Sequence, residues 1–461
     1  MPTFDRRNRR DLDQLVEEYI TTNNINRRQF LQRATAAGLS ISGAMALLQA
    51  CGGGGGGTPA KVTSIDALNV WSGSEADIYN SINAAFTKKT GIKVNVESTR
   101  DVIGVLNTRI RANNPPDVSG MPTSALFQKF ASQGKLLQLD TFFDMTAYRQ
   151  SYSQTWINLG SVNGKLYAVF PKASSKATVW YNPKQFTANG YAIPDTWDAL
   201  IALSDKIASS GKYPWTMGVE SGAASGWSGA DWIDMIYLNL NGLDMSNKWV
   251  NHKIPWTDPS VKNAFQMYGQ IVNGKHYIQG APQSILATNF MPATYLPFES
   301  PPKAYMYFLG DFAKGFIKAQ FPNLTPGTDY NFFQFPTINP QFKGAVVGGP
   351  DIFAAFKDND GVREYMKFMA STEAQAYWVK GGAGSSVNKS LDPSTYSDDV
   401  ARAAAELLQD APIFSPNQDD SMPAAMEPAY WKGILSYIQK PGDLDSILST
   451  LESTAMSVYT S

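Results

Sequence analysis

A chain of 461 residues has room for two or three domains or for one large two-lobed body. Apolar residues make up 43%, charged residues 17% and aromatics 12%, which excludes a fully disordered chain, and a formal net charge of −1 leaves no basic surplus for a nucleic-acid partner. One Cys excludes an internal disulfide, and two His (His252 and His276) argue against a His-ligated zinc or haem site, so neither metal nor cofactor is expected.

The N-terminal segment has the order of an export signal. A basic patch (Arg27, Arg28, Arg33) precedes an uncharged run from Ala34 to Ala50, which ends at Leu48-Gln49-Ala50-Cys51. That ending resembles a bacterial lipobox, in which the thiol takes a diacylglycerol and the chain is cut before Cys. Arg27-Arg28-Gln29-Phe30-Leu31 resembles the twin-arginine motif, with Asn26 where Ser or Thr is usual. Residues 1–50 are therefore expected to be a signal peptide. Residues 51–60 are expected to be a lipid anchor at Cys51 followed by a Gly-rich tether, because two acyl chains hold a protein stably at a membrane.

In the body, Ala67 to Trp71 reads as a buried strand. Glu75 to Lys89 has Ile78, Ile82 and Phe86 at helical spacing, with Ser74 as N-cap and Gly91 as terminator. Ile92 to Val96 alternates like a strand, and Arg100 to Ala112 is an amphipathic helix. A short strand at Val118 leads into a turn at Ser119-Gly120-Met121-Pro122, then a helix spans Thr123 to Gln133. Strand and helix in alternation predict a mainly parallel α/β sheet, which binds ligands beyond the carboxyl ends of its strands. A second α/β region follows Pro171, with a strand at Thr178 to Tyr181 and a helix at Trp197 to Ser209. Helices are predicted at Gly361 to Phe368, Val400 to Gln409 and Asp445 to Val458.

From Ala67 onward the chain resembles the extracellular solute-binding proteins of bacterial ABC importers, in the sugar-binding group that includes maltose-binding protein. The residues that carry the resemblance are Trp71 after the first strand, "TGIKVNVE", "NNPPDV", "ASQGKLLQLD", "VNGKLYAVFP", "VWYNPKQF", "PPKAYMYFLGDFAKGF" and "VGGPDIFAAF". "SSVNKSLDPSTY", "DDSMP" and "AYWKG" resemble the alpha-glucoside-binding branch. The resemblance implies a two-lobed type II periplasmic-binding-protein fold, each lobe a mainly parallel sheet flanked by helices. Lobe one would be 61–174 plus 312–352 and lobe two 175–311 plus 353–461. The hinge would be crossed near Lys172–Lys176, Phe308–Phe312 and Pro350–Ala355. It also implies a monomer, anchored at the outer face of the cytoplasmic membrane, that delivers a sugar to ABC permease subunits.

A sugar presents C–H faces that Trp can cover and a rim of hydroxyls that Asp, Arg or Ser can bond. The first candidates are Trp71, Ser72, Arg100, Trp227, Asp231, Trp232 and Asp311. Glu75, Asp117, Gly349, Asp351, Asp420 and Trp431 follow. Bland alternatives stand beside several of them. Trp71 also fits a core residue capping its strand, and Asp117 fits a turn cap after Pro115-Pro116. Trp232 fits a buried helix stripe with Ile233, Ile236 and Tyr237, and Arg100 fits a solvated helix start.

Two rivals to sugar capture remain. A glycosidase needs a pair of carboxylates at set separation, which counting cannot exclude, but no G-x-S-x-G, H-E-x-x-H, P-loop or dinucleotide fingerprint is present. A binding protein for a polyamine or peptide would need an acidic, aromatic box.

Overall fold

A computed structural model describes residues 62–121 and 123–459, so the expected export signal with Arg27 and Arg28, the lipid-anchor Cys51 and the Gly tether lie outside the described residues. β1 (Ser64–Asn69) feeds α1 (Ser74–Thr90), which ends where Gly91 takes a left-handed φ of 78° and donates its N–H to the Thr87 carbonyl. The cap at the other end is Gly73 rather than the expected Ser74, which falls inside the helix. β2 (Lys93–Ser98) is followed by α2 (Val102–Arg111), whose N-cap Asp101 accepts from the Gly104 N–H. β3 (Val118–Met121) is followed by α3 (Ser124–Ser132), capped by Thr123. Ser119 to Met121 is thus strand, where a turn was expected. The strand wins because all four of its residues are buried and pair with one neighbouring strand, and Val118 and Ser119 pair with β1 on the other side as well.

Next along the chain come β4 (Ala168–Val169), β5 (Ala173–Ser175), β6 (Thr178–Tyr181), α4 (Trp197–Ser209), α5 (Trp227–Val250) and β7 (Met306–Phe308). They are followed by α6 (Ala313–Gln320), β8 (Asn331–Gln334), β9 (Ala345–Pro350), β10 (Ile352–Ala355), α7 (Asp360–Met369) and α8 (Thr372–Gly381). The chain closes with α9 (Asp399–Gln409), β11 (Ile413–Pro416), α10 (Gln418–Ser421), α11 (Met426–Gln439) and α12 (Leu444–Tyr459).

The first sheet has the order β2-β1-β3-β10-β4, with β1 parallel to both β2 and β3, as their alternation with helices predicts. Leu68, Phe86, Val118, Phe353, Met366 and Trp378 share its core, which defines the first lobe. A second sheet, β8-β6-β7, is antiparallel, so the expectation of a mainly parallel sheet does not hold there. Its central strand alternates. Val179 and Tyr181 face one core with Trp197, Trp232 and Phe265, while Trp180 faces another with Phe290, Phe316 and Tyr330. Together these cores make the second lobe.

Between them lies a third sheet, β11-β9-β5, through which the chain passes from lobe to lobe. Gly348 is required in it, because a Cβ there would lie 2.5 Å from the Ser174 carbonyl oxygen. This pairing corrects the expected segment boundaries. β10, α7 and α8 belong to the first core although 353–461 was assigned to lobe two, and α6 and β8 belong to the second although 312–352 was assigned to lobe one. Phe308 to Phe312 is not a crossing, since α6 directly beyond it packs Phe316 and Ile317 with Phe290. Among the described residues no helix is long and apolar enough to cross a membrane.

Candidate functional site

The strand ends of the first lobe open onto a cleft of about 310 Å³, within the size range of small-molecule sites. Trp71 follows β1, Arg100 follows β2, and Gly120 and Met121 end β3, so three adjacent strands deliver residues to one wall. The second lobe supplies Trp227 and Asp231 from the first turns of α5, together with Phe290, Phe312, Asp419, Asp420 and Trp431. Gly226, at φ 109°, lets α5 begin against Trp431, whose Cβ and carbonyl would lie 2.8 Å from any side-chain carbon added there.

Of the thirteen sequence candidates, Trp71, Glu75, Arg100, Trp227, Asp231, Gly349, Asp351, Asp420 and Trp431 line this cleft. Four do not. Asp117 precedes β3 and so sits at the opposite edge of the sheet, accepting the Asp66 N–H at 2.7 Å and pairing with Lys357 at 2.9 Å. Trp232 is 1% exposed, wedged between Trp215 and Phe308 with ring centroids 5.2 and 4.5 Å away. One residue further along the helix than Asp231, it turns into the core. Asp311 is buried beside β5, with its N–H on the Ser175 carbonyl and its carboxylate accepting from Ser385 Oγ at 3.0 Å; burial pushes its pKa up to about 6. Ser72 is half-buried and outside the lining.

At one end of the cleft one ammonium bonds both carboxylates. Lys172, 2% exposed, bonds Glu75 and lies 3.0 Å from Asp351, whose other contact is Trp71 Nε1 at 3.3 Å. The same ammonium lies 5.1 and 5.5 Å from the ring centroids of Trp378 and Phe312. Burial disfavours the charged amine, yet Asp351 and Glu75 outweigh it and hold its pKa above the ordinary value. Trp71 packs on Tyr79 and Trp378 at 4.7 and 4.8 Å and is 3% exposed, so it is wall as well as core.

Acids outnumber cations at the other end. Lys176 Nζ lies 2.9 Å from Asp231 Oδ2 and 4.8 Å from the Trp227 ring centroid. Asp231 Oδ1 accepts from Asn417 Nδ2 at 2.9 Å, and its pKa is pushed up to about 6 by burial, against the pull of Lys176. Asp419 accepts from Trp431 Nε1 at 2.9 Å. Its neighbours Asp420, Asp234 and Glu427 are all raised well above the usual carboxylate range, by burial first and by one another second. Thr123, from the first lobe, works the other way on Glu427. Asn417 Oδ1, also in the lining, has no hydrogen-bond partner among the described residues. This end therefore presents acceptors and indole faces, with no group of three or more His, Cys, Asp or Glu among the described residues placed to hold a metal ion.

Sequence reasoning missed Lys172, Lys176, Asn417, Asp419, Phe290 and Phe312 as cleft residues. The signal for the lysines was there: two cations four apart in an otherwise small and apolar strand, "FPKASSKATVW", need buried counter-charges.

Two lobes, joined by a shared sheet and closed around a polar, aromatic cleft, define a receptor that captures a small solute. The family model "Bacterial extracellular solute-binding protein" matches residues 72–376, and the chain belongs to that family. The chain is 32% identical to the osmoprotective compounds-binding protein GgtB of Synechocystis sp. over 88% of this chain and 96% of that one. To the alpha-glucosides-binding periplasmic protein AglE of Rhizobium meliloti it is 28% identical, over 82% and 84%. The crystal structure of the bacterial solute receptor AcbH superposes with a TM-score of 0.75 at 23% identity, covering 86% of this chain and 99% of that one. Maltose-bound MalE3 of T. maritima superposes at 0.69 with 15% identity, covering 86% and 99%. The resemblance in the sequence and the type II fold are thereby established, and the chain is an extracellular solute-binding protein of the ABC-importer kind.

Proposed function

We propose that this protein captures an alpha-glucoside or another short, neutral, polyhydroxylated solute between its lobes and delivers it to an ABC permease without altering it chemically. The observation that carries this reading is the juxtaposition of two indoles, Trp227 and Trp431, with the acceptors Asp420, Asp231 and Asn417 in one cleft. Indole faces suit sugar C–H surfaces, and carboxylates suit paired hydroxyls. The relative named for alpha-glucosides supports it. Trp227, Asp231, Asp420 and Trp431, joined by Lys176, Asn417 and Asp419, form the proposed contact set, and Trp71, Glu75, Arg100, Gly349 and Asp351 complete the walls around it.

A second reading rests on charge. Six carboxylates and three cations are among the lining residues, an excess that would also suit a cationic or zwitterionic osmoprotectant in an acidic, aromatic box. Titration calorimetry with trehalose, maltose and sucrose, set against glycine betaine and spermidine, separates the two. Micromolar binding of a sugar upholds the first reading, and binding of the cations alone replaces it with the second.

The chain's three passages through the middle sheet support lobes of 62–172 with 352–397 and 176–347 with 413–461, and a hinge in β5, β9 and β11. The lipobox-like ending at Cys51 supports an anchor on the outer face of the cytoplasmic membrane, after export by the route that Arg27 and Arg28 resemble, with the body acting as a monomer. Membrane-bound protein that becomes soluble or stays uncleaved on Cys51→Ser is the expected result.

A further inference from the structure

The mouth of the cleft is closed by contacts between the lobes themselves, and Arg100 makes several of them. Arg100 stands between β2 and α2 of the first lobe. Its Nη1 donates to the Val70 carbonyl of the same lobe at 3.0 Å, which pins the guanidinium beside the end of β1. Its Nε donates across the cleft to Ser221 Oγ, also at 3.0 Å. The guanidinium carbon lies 5.6 Å from the Phe290 ring centroid, again in the second lobe. A Cβ on Gly222, at φ 59°, would lie 3.7 Å from Arg100 Cβ, so the second lobe's loop rests on the arginine stem. Alongside, Gly73 of the first lobe meets Met291 of the second so closely that a Cβ on Gly73 would fall 2.8 Å from the methionine Cε.

The Arg100 guanidinium thus donates once to each lobe, and its ring contact crosses the gap. A group that merely hydrogen-bonded a ligand would not need the second lobe's serine, and a solvated helix-start arginine would not be half-buried between two lobes. We propose that Arg100 is the latch of the closed cleft, a positioning residue that holds the second lobe through Ser221 and Phe290 and so governs how fast a captured solute escapes. The inference rests on the capture reading above. Separation of the lobes breaks the Ser221 bond and leaves only the one to Val70. The Ser221 bond stabilises the closed arrangement alone, and a contact made in one state only shifts the balance by its full worth.

The test uses the full chain with trehalose as probe, comparing wild type, Arg100→Ala, Ser221→Ala and the double variant by stopped-flow binding, with circular dichroism as the check on folding. Each single variant is expected to raise the dissociation rate roughly tenfold while the association rate changes less than about threefold. The double variant should be no worse than either single one, because the two side chains share one interaction. Loss of affinity in Arg100→Ala beside wild-type behaviour in Ser221→Ala would overturn the latch and make Arg100 a ligand contact. If the wild type ignores trehalose, maltose and sucrose alike, the alpha-glucoside reading fails and the latch is read in the ligand-free protein instead. There, both variants should show a larger radius of gyration by small-angle scattering, and unchanged radii in both would overturn it.

Discussion

The two ends of the cleft solve the same problem, buried carboxylates, in opposite ways. At the Lys172 end one ammonium answers Glu75 and Asp351, two aromatic rings flank it, and Trp71 adds its indole N–H to Asp351. That end is complete before any ligand arrives. At the Lys176 end the single ammonium bonds Asp231, and burial raises the pKa of Asp234, Asp419, Asp420 and Glu427. The charge of Asp419 adds to it at Asp234 and Asp420, and Glu427 and Asn417 Oδ1 hold acceptors without a donor among the described residues. A buried acceptor without a donor costs free energy that a bound hydroxyl or a proton can recover. The contrast assigns rigidity to the first end and recognition to the second.

The comparison breaks most visibly if its bonded end loses the ammonium. Lys172→Met leaves Glu75 and Asp351 facing each other with no cation bonded to either and only Arg100 as a more distant counter-charge, and should cost about 3–5 kcal/mol of unfolding free energy, read by urea denaturation. A loss below 1 kcal/mol would mean that the triad is not structural. Next in size, Trp431→Ala removes both an indole face and the donor to Asp419, and should weaken sugar binding by about 1–3 kcal/mol in calorimetry with the fold intact. The same change at Trp232 should act on stability instead, since that ring touches only core.

A smaller effect sharpens the acid-rich end. For Glu427, a folded-state pKa above its unfolded value means that the folded protein holds the proton more tightly, so the group costs stability as pH rises above the ordinary carboxylate range near about 4. Glu427→Gln should therefore raise the stability at pH 7 by about 1–2 kcal/mol and leave it unchanged near pH 4. A benefit independent of pH in thermal melts would show that the carboxylate is not the source of the cost.

Local signals carried much of this fold in the sequence. The helix Trp197–Ser209 has the bounds its apolar spacing predicts, and Gly91 stops α1 where its freedom at positive φ is needed. Trp71 and Arg100 were legible as cleft residues because parallel strands present ligands at their carboxyl ends. Long-range choices were not legible. Nothing local shows that β10 leaves Pro350 to join β3, or that β8 pairs with β6, because pairing partners lie more than a hundred residues away. Asp231 and Trp232 are neighbours in sequence with opposite fates, set by which face of α5 each occupies. Asp311 misled for a related reason: it lies at an expected hinge crossing, yet it is buried beside β5, where Ser385 from a distant loop bonds one of its oxygens.

The most direct test of the account is a crystal structure of the protein grown with an alpha-glucoside such as trehalose. The account predicts a sugar ring against Trp227 or Trp431, hydroxyls on Asp420 and Asn417, and the Lys172, Glu75 and Asp351 contacts unchanged from those described. A sugar bound outside this cleft, or a Lys172 network rebuilt around the ligand while the acid-rich end stays untouched, would contradict it.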